Sequence, residues 1–208
     1  MQRLVIQLLA LVLLIPLTGG CTHKPARPNV RESLEEATGT SITYVKKPAV
    51  FVHDQSGLAS SGRDYVYLAP LAVSRGGQGS CWLWLGIWST VDRQARNEAA
   101  SPLRLGTLQI VADSEPMDLD LQAADSHPAG IRRIPYETPV PPTQEFLVPV
   151  TRSQLQRLGG ARVLTLTDLP AGETARSWRG DEHAAAVLRE FADDAAMPIM
   201  DLAPVTSR

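Results

Sequence analysis

Three tryptophans within seven residues are the most unusual chemical feature of this sequence. In an extended strand Trp82, Trp84 and Trp88 project to one face, because side chains alternate along a strand. Gly86 then leaves a gap between Trp84 and Trp88 in which a group of a partner could lie. Aromatic rings dominate both cores and interfaces. The three tryptophans are therefore a candidate binding surface for a protein, a glycan or a lipid, with a buried central strand as the alternative.

Residue types that often carry catalysis are present, but their spacing matches no catalytic or metal-binding motif. Neither His-x-x-x-His nor Cys-x-x-Cys occurs, so the sequence predicts no metal site. His53 and Asp54 precede a loop whose Ser56, Ser60 and Ser61 could complete a hydrolytic triad, but the Gly-x-Ser-x-Gly elbow is absent. We therefore predict no catalytic residue and a protein that is not an enzyme, with a hydrolase that uses His53 as the weakest alternative.

Acidic side chains concentrate in one predicted hairpin, at Asp113, Glu115, Asp118 and Asp120. Carboxylate oxygens of this kind can bind calcium, but the spacing does not match an EF-hand loop. Asp118 and Asp120 alternate with Met117 and Leu119, which is the pattern of a strand with one face in water. The sequence therefore favours a solvated strand over a cation site. Without a phosphate-binding loop or a dinucleotide fingerprint, it predicts no cofactor.

Charge is nearly balanced, which bears on the class of partner. The formal net charge is -2, and the basic residues are dispersed along the chain. Long-range attraction to nucleic acid or to an anionic bilayer is therefore not predicted, although a local basic patch is compatible with the sequence. A chain of 208 residues that is 44% hydrophobic favours one globular domain with a core of its own.

The first twenty residues differ from the rest of the chain in composition. One basic residue, Arg3, precedes an almost wholly aliphatic run over residues 4–17. This run is too short to cross a bilayer comfortably, which takes about 20 residues, but it suits the apolar region of a secretory signal. Pro16 then ends the run just before the small residues 18–20, which lead directly into Cys21.

Residues 17–21, Leu-Thr-Gly-Gly-Cys, resemble the lipobox of bacterial lipoproteins. In that family the chain is cut before the cysteine, which is acylated with chains such as palmitate and becomes the first residue. The resemblance implies that Cys21 anchors the chain to a membrane. Thr18 stands where the usual pattern has Leu, and the alternative is a secreted protein with a free cysteine. Thr22 replaces the Asp that commonly signals inner-membrane retention, so the resemblance implies the outer membrane and its periplasmic face.

Two further stretches, residues 64–70 and 82–90, are similar to the centre of uncharacterised envelope lipoproteins from proteobacteria. This second resemblance implies no particular activity. It agrees with the lipobox in placing the protein in the cell envelope.

Hydrophobic periodicity and turn residues predict a mainly β fold. The clearest hairpin signal is the run Gly-Gly-Gln-Gly over residues 76–79. Capping boxes that begin at Ser33 and Thr151 predict two short helices, and Asp181 is a candidate cap for a C-terminal helix. Strands are predicted over residues 42–45, 50–53, 65–73, 81–90, 103–111, 117–121, 146–150 and 162–167. About eight short antiparallel strands favour a β-sandwich or an open barrel, with a few short helices and a C-terminal helix.

The sequence thus predicts four segments: a lipoprotein signal peptide over residues 1–20, a lipidated tether over 21–32, a single mainly-β domain over 33–196 and a flexible tail over 197–208. We expect a lipid-anchored, non-enzymatic domain that binds or scaffolds another component of the cell envelope. The alternative is a module that binds a lipid, glycan or peptide ligand. The expected partners are a membrane, through the anchor on Cys21, and an envelope protein.

Overall fold

The computed structural model describes residues 29–54, 62–90, 107–123, 131, 133–136, 138–142, 144–169 and 175–193. The predicted signal peptide, Cys21, most of the tether, the loop serines 56, 60 and 61, and the predicted tail lie outside these residues. The description below concerns the β domain alone.

Eleven strands and two helices form the described part of the chain. The strands are β1 Val30–Glu35, β2 Thr40–Val45, β3 Ala49–Asp54, β4 Arg63–Arg75, β5 Gln78–Ser89, β6 Thr107–Ala112, β7 Glu115–Leu119, β8 Gln122–Ala123, β9 Gln144–Val150, β10 Leu164–Leu169 and β11 Arg176–Gly180; the helices are α1 Arg152–Gly160 and α2 Ala184–Ala192. Every pairing is antiparallel, in the order β7-β6-β10-β11-β3-β4-β5-β9-β8, with β1 and β2 attached to β4. The mainly β prediction is confirmed, and the described sheet is open rather than closed into a barrel.

The long central strand β4 organises the sheet. Along one edge it pairs with β5 from Asp64 to Arg75. Along its other edge it pairs first with β3 and then with β2, and the two strands part at Ala69 and Pro70. Proline has no N–H to donate, so a sheet interior accepts it where one neighbouring strand is missing. The fork between β2 and β3 is the place where this sheet accommodates Pro70.

Two tight turns fix the registers of the β4–β5 and β6–β7 hairpins. Gly76 and Gly77 have φ of 57° and 80°, and Asp113 and Ser114 have φ of 48° and 79°. Two consecutive residues with positive φ make the type I′ turn that suits a two-residue hairpin. The Asp113 carboxylate accepts the backbone N–H groups of Arg162, at 3.0 Å, and Val163, at 2.9 Å. These bonds lower the pKa of Asp113, led by the bond from Val163, and they give this acid a structural task in the hairpin.

Buried side chains lie on both faces of the sheet, and the larger part of the core lies on the face called here the inner face. This face carries Phe51, Leu68, Leu85, Leu166 and Trp178, each of them fully buried. Helix α2 packs on this face, because a Cβ built on Gly180 would come within 3.0 Å of both Phe51 and Ala184. Helix α1 packs in turn on α2. Its predicted capping box is confirmed, since Gln154 N–H donates to the Thr151 hydroxyl at 3.2 Å and the Gln154 side chain accepts Thr151 N–H at 2.7 Å.

The prediction of a helix beginning at Ser33 is wrong. Ser33 lies in β1, opposite Ile42 of β2, and β1 already begins at Val30, within the segment predicted as the tether. A capping box needs an apolar stripe behind it to bury, and the residues after Leu34 offer none. Pairing with the edge of β2 satisfies the same backbone groups. At the other end, His183 occupies the cap position of α2, and Asp181 accepts the His183 N–H at 3.1 Å instead of capping the helix directly.

Candidate functional site

Strand β5 places the three tryptophans on the other face of the sheet, called here the outer face, which is also buried around Leu71 and Val73. Trp88 lies opposite Tyr65 and Trp84 opposite Ala69 in the ladder with β4. Trp82 and Trp88 are six residues apart, about 20 Å along a strand. They are half-buried, whereas Trp84 between them is buried. The tryptophans therefore do not form one continuous surface.

Trp84 is a core residue and is not available to a partner. Its side chain is 2% exposed, and its indole N–H donates to Glu145 Oε2 at 3.1 Å. The ring lies over Gly86, where an added Cβ would come within 2.7 Å of Trp84 Cη2 and 3.1 Å of Pro142 Cβ. The predicted gap between Trp84 and Trp88 is thus filled by Trp84 itself and Pro142. The prediction that Trp84 belongs to a binding surface is corrected accordingly.

The cover over Trp84 comes from the proline-rich residues 133–136 and 138–142. The Tyr136 ring lies 4.8 Å from the Trp84 ring and 6.1 Å from the Tyr44 ring. Its hydroxyl donates to the Pro70 carbonyl at 2.7 Å, at the fork between β2 and β3. Burial raises the pKa of Tyr136 well above its usual value. Tyr136 therefore covers the part of β4, at Ala69 and Pro70, that pairs with neither β2 nor β3.

Removing this hydroxyl is expected to destabilise the domain. Tyr136→Phe leaves the Pro70 carbonyl without its donor, which costs about 1–2 kcal/mol. A raised folded-state pKa means that this stability is complete below the unfolded pKa, about 10, and is lost as pH rises through the folded value. Denaturant melts should show wild-type stability falling in alkali and a shallower fall for Tyr136→Phe. Tyr44→Phe, which keeps the bond to Pro70, is the control; an identical pH dependence in all three proteins would contradict this account.

The other half of the outer face carries a half-exposed aromatic stack, which we call the aromatic platform: Tyr65 and Trp88. Their ring centroids are 4.9 Å apart and their planes are inclined by 25°. Arg63 borders the platform, with its Nε 2.9 Å from Asp54 Oδ1. A hydrogen bond to Tyr65 and the pair with Asp54 raise the pKa of Arg63. Aromatic rings bordered by hydrogen-bond donors and acceptors are typical of the few interface residues that contribute most of the binding energy.

Trp82 differs from the platform in its surroundings. Its indole N–H donates to Ser80 Oγ at 2.9 Å, within its own strand. Its ladder neighbours are Leu71 and Pro149, and it packs against the core. Trp82 is thus an aromatic residue at the margin of the core. Among the described residues, Trp88 is the one tryptophan that is both half-exposed and stacked on another ring.

A partly buried polar cluster lies at one end of the inner face, and of its members the sequence singled out only His53. His53 stands opposite Asp64 in the β3–β4 ladder, and its Nδ1 donates to the Ser177 carbonyl at 2.8 Å. Its ring lies 5.4 Å from the Trp178 ring. Asp168 is fully buried and pairs with Arg176, whose guanidinium lies 5.7 Å from the Trp178 ring. Asp168 follows Leu164 and Leu166 at alternate positions of β10, on the face that packs in the core. An acidic residue at such a position is the sequence signal that could have identified this cluster.

The hydrolase alternative stays a prediction, because its three serines lie outside the described residues. The Nδ1 proton of His53 is committed to a backbone carbonyl, which leaves Nε2 as the only nitrogen that could act on a substrate. Within the part of the chain that the structure describes, no group of three or more His, Cys, Asp or Glu side chains could hold a metal ion.

No protein-family model, curated protein or solved structure matches this chain. Among the described residues, neither helix is long and apolar enough to cross a membrane.

Proposed function

We propose that this chain is a lipid-anchored protein of the cell envelope, held by an acylated Cys21 on the periplasmic face of the outer membrane. Its β domain binds or scaffolds another envelope component and does not catalyse a reaction. The aliphatic run over residues 4–17 and the small residues before Cys21 support the anchor. The first described strand begins at Val30, so eight residues separate it from the proposed anchor at Cys21.

The aromatic platform is the observation that carries the binding role. Across β10 and β11, the outer face carries mainly polar side chains, among them Thr165, Ser177 and Arg179. Unlike these solvated polar side chains, Tyr65 and Trp88 are half-exposed aromatic rings, and neither is needed to cover the core. Rigid aromatic side chains lose little conformational entropy on binding and dominate interface energies. A partner that covers the two rings would gain most of its affinity there.

A ligand-binding module for a glycan, lipid or peptide is the second candidate. The observation that favours it is the ion pair of Arg63 and Asp54 beside Tyr65, because it offers charged donors and acceptors next to a flat apolar surface. Small polar ligands are held by such a combination of apolar contact and a few polar groups. In this case the platform would bind a small molecule in place of a protein surface.

The anchor is tested by metabolic labelling with a radioactive or clickable fatty acid. We expect label on the full-length chain and none on Cys21→Ser, since the thiol of residue 21 is the acceptor. Cys81→Ser is the matched control, because Cys81 lies within β5 and should leave the label unchanged. An unlabelled wild-type chain, or label lost from Cys81→Ser instead, would contradict the anchor.

A further inference from the structure

The point at which the chain enters the fold is fixed beside two exposed lysines. The Asn29 carbonyl accepts the Lys46 N–H at 2.7 Å, and the Asn29 side chain donates to Glu190 Oε2 at 2.8 Å. Val30 then pairs with Val45 as β1 begins. The connection between β2 and β3, Lys46-Lys47-Pro48, is therefore held next to the first residue of the domain.

This entry point is rich in basic residues. Lys46 and Lys47 are exposed, and within the described residues neither ammonium group makes an ion pair or a hydrogen bond. Arg31, two residues into the domain, is also exposed. The nearby carboxylate of Glu190, which accepts the backbone and side-chain N–H groups of Asn29, keeps its charge but is outnumbered by these three basic side chains. In the sequence, Lys24 and Arg27 precede this point, and Glu32 is the first acidic residue after Cys21.

The anchor keeps this basic surface close to the bilayer. Asn29 is eight residues from Cys21, a separation of at most about 28 Å even when the chain is fully extended. The aromatic platform lies further along β3, since Val52, which pairs with Tyr65, is about 16 Å along the strand from Lys47. Basic residues beside a lipid anchor add an electrostatic contact with anionic lipids.

We propose that Lys46 and Lys47, with Arg31, form a membrane-contact surface that binds the phosphates of anionic lipid headgroups. The inference rests on the proposed lipid anchor at Cys21. It goes beyond that anchor by giving the domain an orientation, with the fork between β2 and β3 toward the bilayer and the platform away from it. The balanced net charge of the whole chain does not oppose this contact, because screening confines the attraction to charges within about 8 Å of the surface.

The test is co-sedimentation of the mature chain carrying Cys21→Ser with phosphatidylcholine vesicles, with and without phosphatidylglycerol. Without the acyl chain, binding should require phosphatidylglycerol and weaken in high salt. Each lysine near such a surface is worth about fivefold in binding, so Lys46→Gln/Lys47→Gln should weaken it about 25-fold. Arg75→Gln/Arg179→Gln, which removes the same charge from two exposed residues elsewhere, should bind like its parent.

Three results would overturn the membrane contact: no binding to phosphatidylglycerol vesicles, equal binding by the lysine variant, or an equal loss in the arginine control. The outcome is separable from that of fatty-acid labelling. Label on Cys21 without lysine-dependent binding would remove the contact and leave the anchor. Lysine-dependent binding by a protein that carries no label on Cys21 would remove the anchor and leave the contact. The surface would then be that of a peripheral membrane protein.

Discussion

Arg176→Met is expected to lower the free energy of unfolding by about 3–5 kcal/mol. The side chain of Asp168 is 0% exposed and that of Arg176 17% exposed, so the two charges meet away from bulk water. Removing one partner leaves a buried carboxylate without its main counter-charge, which is far more costly than losing an ion pair on the surface. The contact of the guanidinium with the Trp178 ring is lost as well.

Chemical denaturation of the single and double variants separates these contributions. Asp168→Leu/Arg176→Met removes both charges and should be more stable than Arg176→Met alone, because the buried carboxylate of Asp168 is then no longer left without its counter-charge. Arg63→Met removes the exposed pair with Asp54 and should cost no more than about 1 kcal/mol. Equal stability of Arg176→Met and Arg63→Met would contradict the expectation that the buried pair contributes more to the free energy of unfolding than the exposed pair.

Gly159→Ala is expected to destabilise the domain by about 3 kcal/mol, at the upper end of what overpacking usually costs. An added Cβ would lie 2.6 Å from Cα and 2.8 Å from the backbone N of Arg189, so α1 and α2 would have to move apart. A side chain could rotate away, but the backbone of α2 cannot. The hydrogen bond from Arg189 Nε to the Gly159 carbonyl, 2.7 Å long, would be strained by the same movement.

The adjacent glycine provides a matched control. Among the residues that the structure describes, nothing lies within 4 Å of a Cβ built on Gly160, and its φ needs no glycine. Gly160→Ala should therefore be neutral or stabilise the domain by up to about 1 kcal/mol, since alanine favours the helix. Thermal melts of both variants decide the point. Similar melting temperatures for the two would mean that α1 and α2 do not pack as closely as described.

The central hairpin was predictable because its signals agree with each other. Strands β4 and β5 are apolar on both faces, and the glycines at 76 and 77 supply the turn between them. Strand β11 escaped prediction because the short segment Arg-Ser-Trp-Arg-Gly has one apolar side chain and acquires its place only through pairing with β3 and β10. Strand β1 was mistaken for a helix because a local capping signal was outweighed by pairing with β2.

The candidate site was only half predictable, because it depends on register and on a distant loop. The two-residue turn at Gly76 and Gly77 pairs Trp88 with Tyr65. A four-residue loop over residues 76–79 would instead pair Trp88 with the buried Tyr67. Likewise, Trp84 is buried by residues 133–136 and 138–142, whose prolines give no periodic signal. The sequence identified the tryptophan strand, but tertiary packing decides which ring a partner can reach.

The most direct test of the proposed binding role is photo-crosslinking in intact cells from Trp88 replaced by a photoreactive phenylalanine. Leu34, which is 65% exposed on the edge strand β1, is the control position in the same full-length chain. We expect a defined crosslink to one envelope protein from position 88 and none to that protein from position 34. No adduct from position 88, or the same set of adducts from both positions, would contradict the claim that the aromatic platform binds a specific partner.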